Sequence, residues 1–321
     1  MRRLTIVGVV LVMFLGMALN AGAAKLPLNE QLYIEVSALG SLDYFYDHKL
    51  GMEMAGEYLG VRTEYVGPAD YDMAAMITAF EQAIAKKPQG LVVVGFEPSL
   101  DAIVDKAVEA GIPVVTVDAD LPTSQRVAFV GTGNYQAGYQ GGLKLADLIN
   151  GKGKVALMTK PGQSNLEERI VGYKEALAQF ADIEIVQIAD TQSDPNVGAQ
   201  AAATLLMKYP DLAGIACVEA AGGSGAATAV READKAGQVK IIAMDRGNEV
   251  LQEIEDGVIS ASVAQQTALM PFYATQILVN LYNYDIPIST DNGKAGITGT
   301  PSVIDTGVII VDADNYKYFM R

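Results

Sequence analysis

The stretch IPVVTVDAD, Ile112–Asp120, decides the fold expected of this chain. Its run of valine and threonine is typical of a strand buried on both faces of a parallel sheet. The run stops at Asp118, and a second acid follows at Asp120, although carboxylates are costly to bury inside a sheet. The stretch KIIAMDRG, from Lys240, repeats the arrangement and places Asp245 after its apolar run. The two stretches predict parallel sheets in which a buried strand ends in an acid.

Apolar runs of strand length alternate with helix-like segments on both sides of these stretches. YDMAAMITAFEQAIAKK and SLDAIVDKAVEAG have helical spacing, and Ser99 is placed to cap the second of them. This alternation predicts an α/β fold with helices on both faces of parallel sheets. The predicted strands cover residues 31–37, 61–66, 90–95, 112–118 and 127–130 in the first half, and 153–159, 183–189, 213–218, 239–244 and 258–263 in the second.

The second half of the chain repeats the element order of the first. Strand, turn, helix, glycine, strand and aspartate follow one another in VVVGFEPSLDAIVDKAVEAGIPVVTVD and again in GIACVEAAGGSGAATAVREADKAGQVKIIAMD. The repeat predicts two similar lobes, with Asp118 and Asp245 at equivalent strand ends. Ligands of open α/β sheets bind beyond the carboxyl ends of the strands, so two facing lobes would present both carboxylates to one cleft. Carboxylates suit a polyhydroxylated ligand; the alternative is that each aspartate caps the following helix or turn.

The N-terminus has the features of a secretory signal peptide, which we predict over residues 1–23. Arg2 and Arg3 form its positive region, residues 4–19 carry no charge, and Ala21-Gly22-Ala23 fits a cleavage site. An uncleaved membrane anchor is the alternative, and the small residues at the cleavage site favour removal.

Charge and cysteine usage restrict the partners and the compartment. Removal of Arg2 and Arg3 would change the net charge from −15 to −17. Such acidity argues against nucleic acid and anionic lipid surfaces as partners, because both attract basic proteins. Cys217 is the one cysteine and lies in an apolar run, so no internal disulfide can form. An exported protein with a single buried thiol indicates a bacterial periplasm.

The sequence predicts no catalytic site, no cofactor and no metal. GTGNYQAG, from Gly131, lacks the spacing of a dinucleotide-binding loop. GGSGA, from Gly222, ends in alanine where a nucleophile elbow requires glycine, and its base would have to be His48, the one histidine. Histidine and cysteine are too few for a metal cluster, and no calcium-loop pattern is present.

Longer stretches carry a resemblance to a known family. AGIPVVTVDADLPTSQRVAFVGTGNYQAGYQGG, followed by GKGKVALMTKPGQSNLEERIVGYKEAL, resembles the type I periplasmic sugar-binding proteins of ABC importers, above all their ribose- and rhamnose-binding branch. The AMD strand end and SASVAQ extend the resemblance to essentially the whole chain after the signal peptide. It implies two Rossmann-like lobes joined by three hinge crossovers near residues 131–133, 263–266 and 295–302. The lobes would comprise residues 24–131 plus 265–296 and residues 132–264 plus 297–321.

The resemblance also implies which residues bind the ligand. Tyr44 and Phe45 match aromatic residues that stack on the sugar ring, and Arg169 matches an arginine that donates to sugar oxygens. These three could instead be packing or solvated helix residues. The other implied site residues are polar or acidic: Ser37 after the first strand, Asp118, Glu219, Asp245 and the hinge-proximal Gln265.

The implied site departs from the pattern of pentose binders. Ala119 stands where ribose binders carry an arginine, and Gln192 and Ser193 stand where the second lobe often supplies an aromatic residue. The site would therefore contain more carboxylate and less arginine, and carboxylates around one ligand repel one another unless donors or a cation intervene. This predicts a hydroxyl-rich ligand, with an amino sugar or a cyclitol as candidates.

The predicted function is that of a periplasmic solute-binding protein and not of an enzyme. The protein would capture a sugar or sugar-like polyol between its lobes, close on it and deliver it to the membrane permease of an ABC importer. The alternative is a receptor that presents the same closed form to a chemotaxis or sensor-kinase system. We expect a monomer, because the lobes must move freely.

Overall fold

The computed structural model describes residues 25–320 except the side chain of Asp43, so the predicted signal peptide lies outside the described residues. The strands are β1 (Leu32–Val36), β2 (Arg62–Val66), β3 (Gly90–Val94), β4 (Val114–Val117), β5 (Ala128–Gly131), β6 (Lys152–Thr159), β7 (Asp182–Asp190), β8 (Leu212–Cys217), β9 (Lys240–Met244), β10 (Ala261–Gln265), β11 (Val303–Asp305) and β12 (Val308–Asp312). The helices are α1 (Asp43–Leu59), α2 (Met73–Ala85), α3 (Asp101–Glu109), α4 (Asn134–Leu148), α5 (Ser164–Leu177), α6 (Pro195–Lys208), α7 (Ala220–Glu232), α8 (Asn248–Glu255), α9 (Leu269–Asn283) and α10 (Asn292–Ala295).

The strands form two six-stranded sheets with the same internal order. The first sheet runs β11-β5-β4-β3-β1-β2, and all of its strands are parallel. The second runs β12-β10-β9-β8-β6-β7, and β12 pairs antiparallel with β10 at its edge. Strands β1 to β5 and strands β6 to β10 occupy matching places, so the duplication read from the sequence is present in the fold. The predicted α/β class with two parallel-sheet lobes is confirmed.

Each sheet is buried on both faces, which explains its continuous apolar runs. In β1, Ile34 and Val36 pack into one hydrophobic cluster, whereas Tyr33 packs into the cluster on the opposite face. In β9, Ile241 and Ile242 divide between two clusters in the same way. Each lobe therefore has a three-layer core that fixes the positions of its strand ends.

The chain passes between the lobes three times, and the crossovers are hydrogen-bonded to one another. The first passage follows β5 and the second follows β10. At the third passage, the Thr306 hydroxyl donates to the Gly131 carbonyl at 3.2 Å, and the Gln266 side-chain amide donates to the Thr306 carbonyl at 2.6 Å. These contacts connect all three crossovers into one hinge.

The third crossover differs from the one expected at residues 295–302. Residues 303–305 form β11, which pairs with β5 in the first sheet, and the chain reaches the second sheet only at Val308. The third passage therefore lies at Thr306 and Gly307. The predicted boundary assigned residues 297–321 to the second lobe, whereas residues 303–305 belong to the first sheet. A three-residue edge strand is too short for its sequence to predict it.

Helix α3 also begins differently from the prediction. Ser99 was expected to cap it, but residues 98–100 form a short 3-10 turn, and Leu100 directly precedes α3. The Ser99 hydroxyl donates to Glu97 at 3.3 Å. In residues 25–320, no helix combines the length and the apolar character that a membrane crossing requires.

Candidate ligand-binding site

Asp118 and Asp245 occupy the equivalent ends of β4 and β9, each in a left-handed backbone conformation. Their φ angles are 65° and 67°. Asp118 N–H donates to the Val130 carbonyl at 3.2 Å, and Asp245 N–H donates to the Val263 carbonyl at 2.9 Å, so the neighbouring strand holds each turn. Aspartate tolerates a positive φ better than most residues, and the turn directs the chain out of the sheet. The acid at each strand end therefore belongs to a duplicated turn at the edge that faces the other lobe.

The two carboxylates interact across the space between the lobes. Burial raises the pKa of Asp245; Arg169 and a hydrogen bond from Gln265 oppose this, whereas Asp118 and Glu219 add to it. Asp118 belongs to the first lobe and Asp245 to the second, so the effect of the Asp118 charge on the Asp245 pKa indicates that both carboxylates lie near the space between the lobes. The structure thus brings together two acceptor groups from opposite lobes.

Tyr44 contacts the first of these carboxylates. It lies in the first turn of α1, and its hydroxyl donates to Asp118 Oδ1 at 2.6 Å. Burial and the Asp118 carboxylate raise the pKa of Tyr44 well above its usual value, so the hydroxyl keeps its proton. Asp245 raises and Arg169 lowers the pKa of Tyr44, so charged groups of the second lobe lie near this hydroxyl.

Arg169 is held at the cleft by the close packing of α4 and α5. A Cβ added to Gly138 would lie 1.9 Å from the Arg169 carbonyl oxygen, and one added to Gly172 would lie 2.1 Å from the Tyr135 carbonyl oxygen. Glycine at these two positions lets the helices approach. Arg169 Nε then donates to Asn134 Oδ1 at 2.9 Å, and its Nη1 donates to the Val218 carbonyl at 2.9 Å. The guanidinium group is oriented by these bonds beside Asp245.

Glu219 is engaged in capping a helix. One carboxylate oxygen accepts from Gly222 N–H at 2.9 Å and from the Thr191 hydroxyl at 2.8 Å, and the other accepts from Ala221 N–H at 2.8 Å. The bonds from Ala221 and Gly222 satisfy two of the free N–H groups at the start of α7. The side chain lies near Asp245 but has three partners within its own lobe.

We therefore predict that Glu219 contributes more to stability than to ligand binding. Glu219→Ala should lower the free energy of unfolding by about 1–2 kcal/mol, as loss of a helix cap does. It should change the ligand affinity by less than about threefold, well short of the tenfold change that corresponds to about 1.4 kcal/mol. Chemical denaturation and calorimetric titration measure the two quantities. Asp194→Ala is the matched control, because Asp194 caps α6 through Asn196 N–H and Val197 N–H. A large loss of affinity specific to Glu219→Ala would refute the capping account.

The remaining implied site residues take different positions. Gln265 lies at the cleft, where its amide donates to Asp245 Oδ1 at 2.9 Å. Ser37 is fully buried after β1, and its N–H donates to the Val66 carbonyl. Phe45 is only 2% exposed and packs behind Tyr44, with its ring centre 5.1 Å away in an edge-on contact. The structure brings six of the eight side chains together and places Ser37 and Phe45 in the first-lobe core.

Asp120, the second acid of the opening stretch, has a structural role. It accepts two bonds from Arg126, at 2.5 Å from Nε and 2.6 Å from Nη2. It also accepts from the Thr116 hydroxyl at 2.8 Å and from Leu121 N–H at 2.7 Å. These partners hold the loop between β4 and β5, so only the first of the two acids faces the other lobe's carboxylate.

His48 forms a buried contact with Glu35 behind the aromatic residues, and this contact is an ion pair when the ring is protonated. Its Nδ1 lies 2.6 Å from Glu35 Oε1, and both side chains are 0% exposed. Burial alone would lower the pKa of His48, but the Glu35 carboxylate raises it to a net value above the usual one. The ring packs 5.0 Å from Phe45 and 5.9 Å from Tyr44, between centres. The histidine therefore supports the wall of the cleft.

Sequence reasoning missed an ion pair that joins the lobes. Arg246 Nη2 donates to Asp47 Oδ2, and the Thr267 hydroxyl donates to the same oxygen at 2.9 Å. Arg246 directly follows Asp245, and Asp47 lies one helical turn after Tyr44. Their closeness in sequence to two predicted site residues is the signal that could have identified them. Among the described residues, no group of three or more histidine, cysteine, aspartate or glutamate side chains could hold a metal ion.

Two duplicated α/β lobes, a hydrogen-bonded hinge and facing strand ends define a type I, two-lobe binding protein. A family profile described as a periplasmic binding protein domain matches residues 36–284, and the chain therefore belongs to the periplasmic binding protein family. The relatives in this family are binding proteins, so the chain is a carrier and not an enzyme.

Similar proteins are known both by sequence and by structure. The chain is 28% identical over 238 residues to a D-ribose/D-allose-binding protein of Pseudomonas aeruginosa, and the alignment covers 72% of this chain and 73% of that protein. It is 28% identical over 239 residues to the D-allose-binding periplasmic protein of Escherichia coli, with 70% and 76% covered. The structure of an arabinose-binding protein from Geobacillus stearothermophilus has a TM-score of 0.85 at 35% identity and covers 91% of this chain and 100% of that one.

Proposed function

We propose that the protein binds a sugar or sugar-like polyol between its lobes and delivers it to the permease of an ABC importer. The observation that carries this proposal is the pair of duplicated strand ends, which sets the Asp118 and Asp245 carboxylates on opposite sides of one cleft. Each carboxylate accepts hydroxyl hydrogen bonds strongly because it is charged. The relatives named above are described as binding ribose, allose and arabinose, which supports a sugar as the ligand.

The hydrogen bonds of Glu219 favour a neutral ligand over an amine. The amino-sugar hypothesis rested on three carboxylates around one ligand, but Glu219 has partners on both of its oxygens. Two carboxylates remain to face the ligand, and Arg169 lies beside one of them. A neutral polyol, whose hydroxyl groups both donate and accept, matches this set of groups.

Closure of the lobes is the proposed binding mechanism. Asp118 and Tyr44 would hold one side of the sugar, and Asp245, Gln265 and Arg169 the other. Bonds from both lobes exist only in the closed form, so the sugar shifts the hinge equilibrium by its differential affinity for that form. Export by a signal peptide cleaved after Ala23, a periplasmic location and a monomeric state are parts of this proposal.

A thermal-shift screen tests the ligand class. At 100 times its dissociation constant a sugar should add about 2.7 kcal/mol to the free energy of unfolding, which raises the midpoint by several degrees. The panel contains aldoses, ketoses, polyols, cyclitols and amino sugars, after any co-purified ligand has been removed by unfolding and refolding. A hit among neutral sugars or polyols supports the proposal. If only amino acids or peptides shift the midpoint in a second panel, the sugar assignment is wrong.

A further inference from the structure

The ion pair between Asp47 and Arg246 is a contact between the lobes outside the hinge. Asp47 lies on α1 of the first lobe, and Arg246 follows β9 of the second. The Asp47 side chain is 6% exposed and that of Arg246 is 22% exposed, so the pair is largely removed from water. A charge pair with little solvent around it is screened less than a surface pair and depends strongly on its geometry.

Two further contacts fix this pair. The Thr267 hydroxyl, in the second crossover, donates to the same Asp47 oxygen at 2.9 Å. The Arg246 guanidinium lies over the ring of Phe319, 5.8 Å from its centre. A single carboxylate oxygen of the first lobe thus accepts hydrogen bonds from the second lobe and from the hinge.

The position of the pair connects it with the ligand site. Asp47 follows Tyr44 on the same helix, and Arg246 is adjacent to Asp245. The like charges of Asp118 and Asp245 repel each other across the cleft and favour opening, whereas Asp47 and Arg246 attract each other and favour closing. A sugar that donates hydroxyl protons to the two carboxylates would offset the repulsion, and the attraction would then hold the lobes together.

We propose that Asp47 and Arg246 form a latch that sets the population of the closed state and through it the sugar affinity. They act as positioning residues, because the apparent dissociation constant equals the intrinsic one divided by the closed fraction. The statement about affinity rests on the proposed function; the statement about lobe closure does not. Loss of the latch should mainly accelerate ligand release, because it destabilises the closed complex.

Binding measurements on latch variants give the first test. Asp47→Asn and Arg246→Gln should each weaken binding of arabinose, D-ribose or D-allose, whichever binds the wild type, by about tenfold, with most of the change in the dissociation rate. The double exchange Asp47→Arg with Arg246→Asp should recover part of the loss. Lys144→Gln is the control, because it breaks a partly exposed pair with Asp312 inside the second lobe and should leave the affinity unchanged.

Distance measurements between the lobes give a test that does not depend on the sugar. Spin labels are placed at cysteines that replace Glu109 and Glu232, the last residues of the equivalent helices α3 and α7, while the buried Cys217 is left in place. Both latch variants should shift the distance distribution towards longer values, and the exchange variant should reverse the shift. If no sugar changes the wild-type distribution, the proposed ligand class fails and the variants still decide the latch. Distance distributions of the latch variants that are identical to those of the wild type, with and without sugar, would overturn the latch proposal.

Discussion

Asp245→Asn is expected to make the sugar-free protein more stable while removing most of its sugar affinity. Asparagine keeps the size of the side chain and tolerates the φ of 67° at this turn. Asparagine lacks the negative charge of the Asp245 carboxylate, whose pKa is raised by burial. An ionised group whose pKa is raised by burial costs stability at neutral pH, so its neutral replacement should raise the free energy of unfolding.

The pH dependence of this stabilisation has a defined sign. A carboxyl group whose pKa is raised in the folded state stabilises it fully below its ordinary pKa of 3.8, and this contribution is lost as the pH rises through the folded-state value. The stability difference between Asp245→Asn and the wild type should therefore be largest at neutral pH and should shrink as the pH falls towards 3.8. Denaturant unfolding across this range measures it.

The loss of affinity follows from the same charge. Removing one partner of a charge-assisted bond in a desolvated site costs about 2–5 kcal/mol, which corresponds to roughly 30-fold or more in the dissociation constant. Asp118→Asn should lose affinity similarly, and Asp182→Asn, on an exposed edge strand, serves as the control for removal of a carboxylate. An Asp245→Asn variant that binds sugar like the wild type would contradict the assignment of the site.

The second large effect is expected at the buried pair behind the cleft wall. His48→Leu leaves the Glu35 carboxylate at 0% exposure without its cationic partner. Breaking a buried pair in this way costs about 3–5 kcal/mol, which lowers the unfolding midpoint by roughly 10 °C. Because the pKa of His48 is raised, the contribution of the pair is complete below the ordinary value of 6.5 and is lost as the pH rises through the folded-state value.

Paired substitution distinguishes a lost ion pair from lost packing. His48→Leu combined with Glu35→Leu should regain most of the stability, because well-packed apolar residues replace buried charges at little cost. Glu81→Gln, which breaks the exposed pair with Lys106, should change the stability by less than about 1 kcal/mol. If the double variant is as unstable as His48→Leu alone, packing rather than charge explains the effect.

The fold could be predicted from the sequence because its signals are long and repeated. The central strands of both sheets carry buried apolar runs, and the duplication gives strands β1 to β5 counterparts in β6 to β10. The failures are short: β11 spans three residues, and the 3-10 turn at 98–100 displaced the expected cap of α3. Elements of this length are fixed by neighbouring strands and not by their own composition.

The position of a site residue could be predicted from the sequence only where the backbone determines the place of its side chain. Asp118 and Asp245 follow strands, so their place at the cleft edge follows from the parallel sheet. Glu219 follows a strand as well, but the N–H groups of α7 occupy its oxygens. The pairing of Asp47 with Arg246 depends on how the lobes meet, which no local pattern in either half determines.

The most direct test of the proposed sugar site is a crystal structure of the protein with a bound sugar from the screen. We expect the sugar between the lobes, with its hydroxyl groups donating to Asp118 from one side and to Asp245 from the other. Tyr44 should lie against it, and the Asp47–Arg246 pair should be closed. A sugar bound outside the cleft, or one in the cleft with neither carboxylate within hydrogen-bonding distance, would contradict the account.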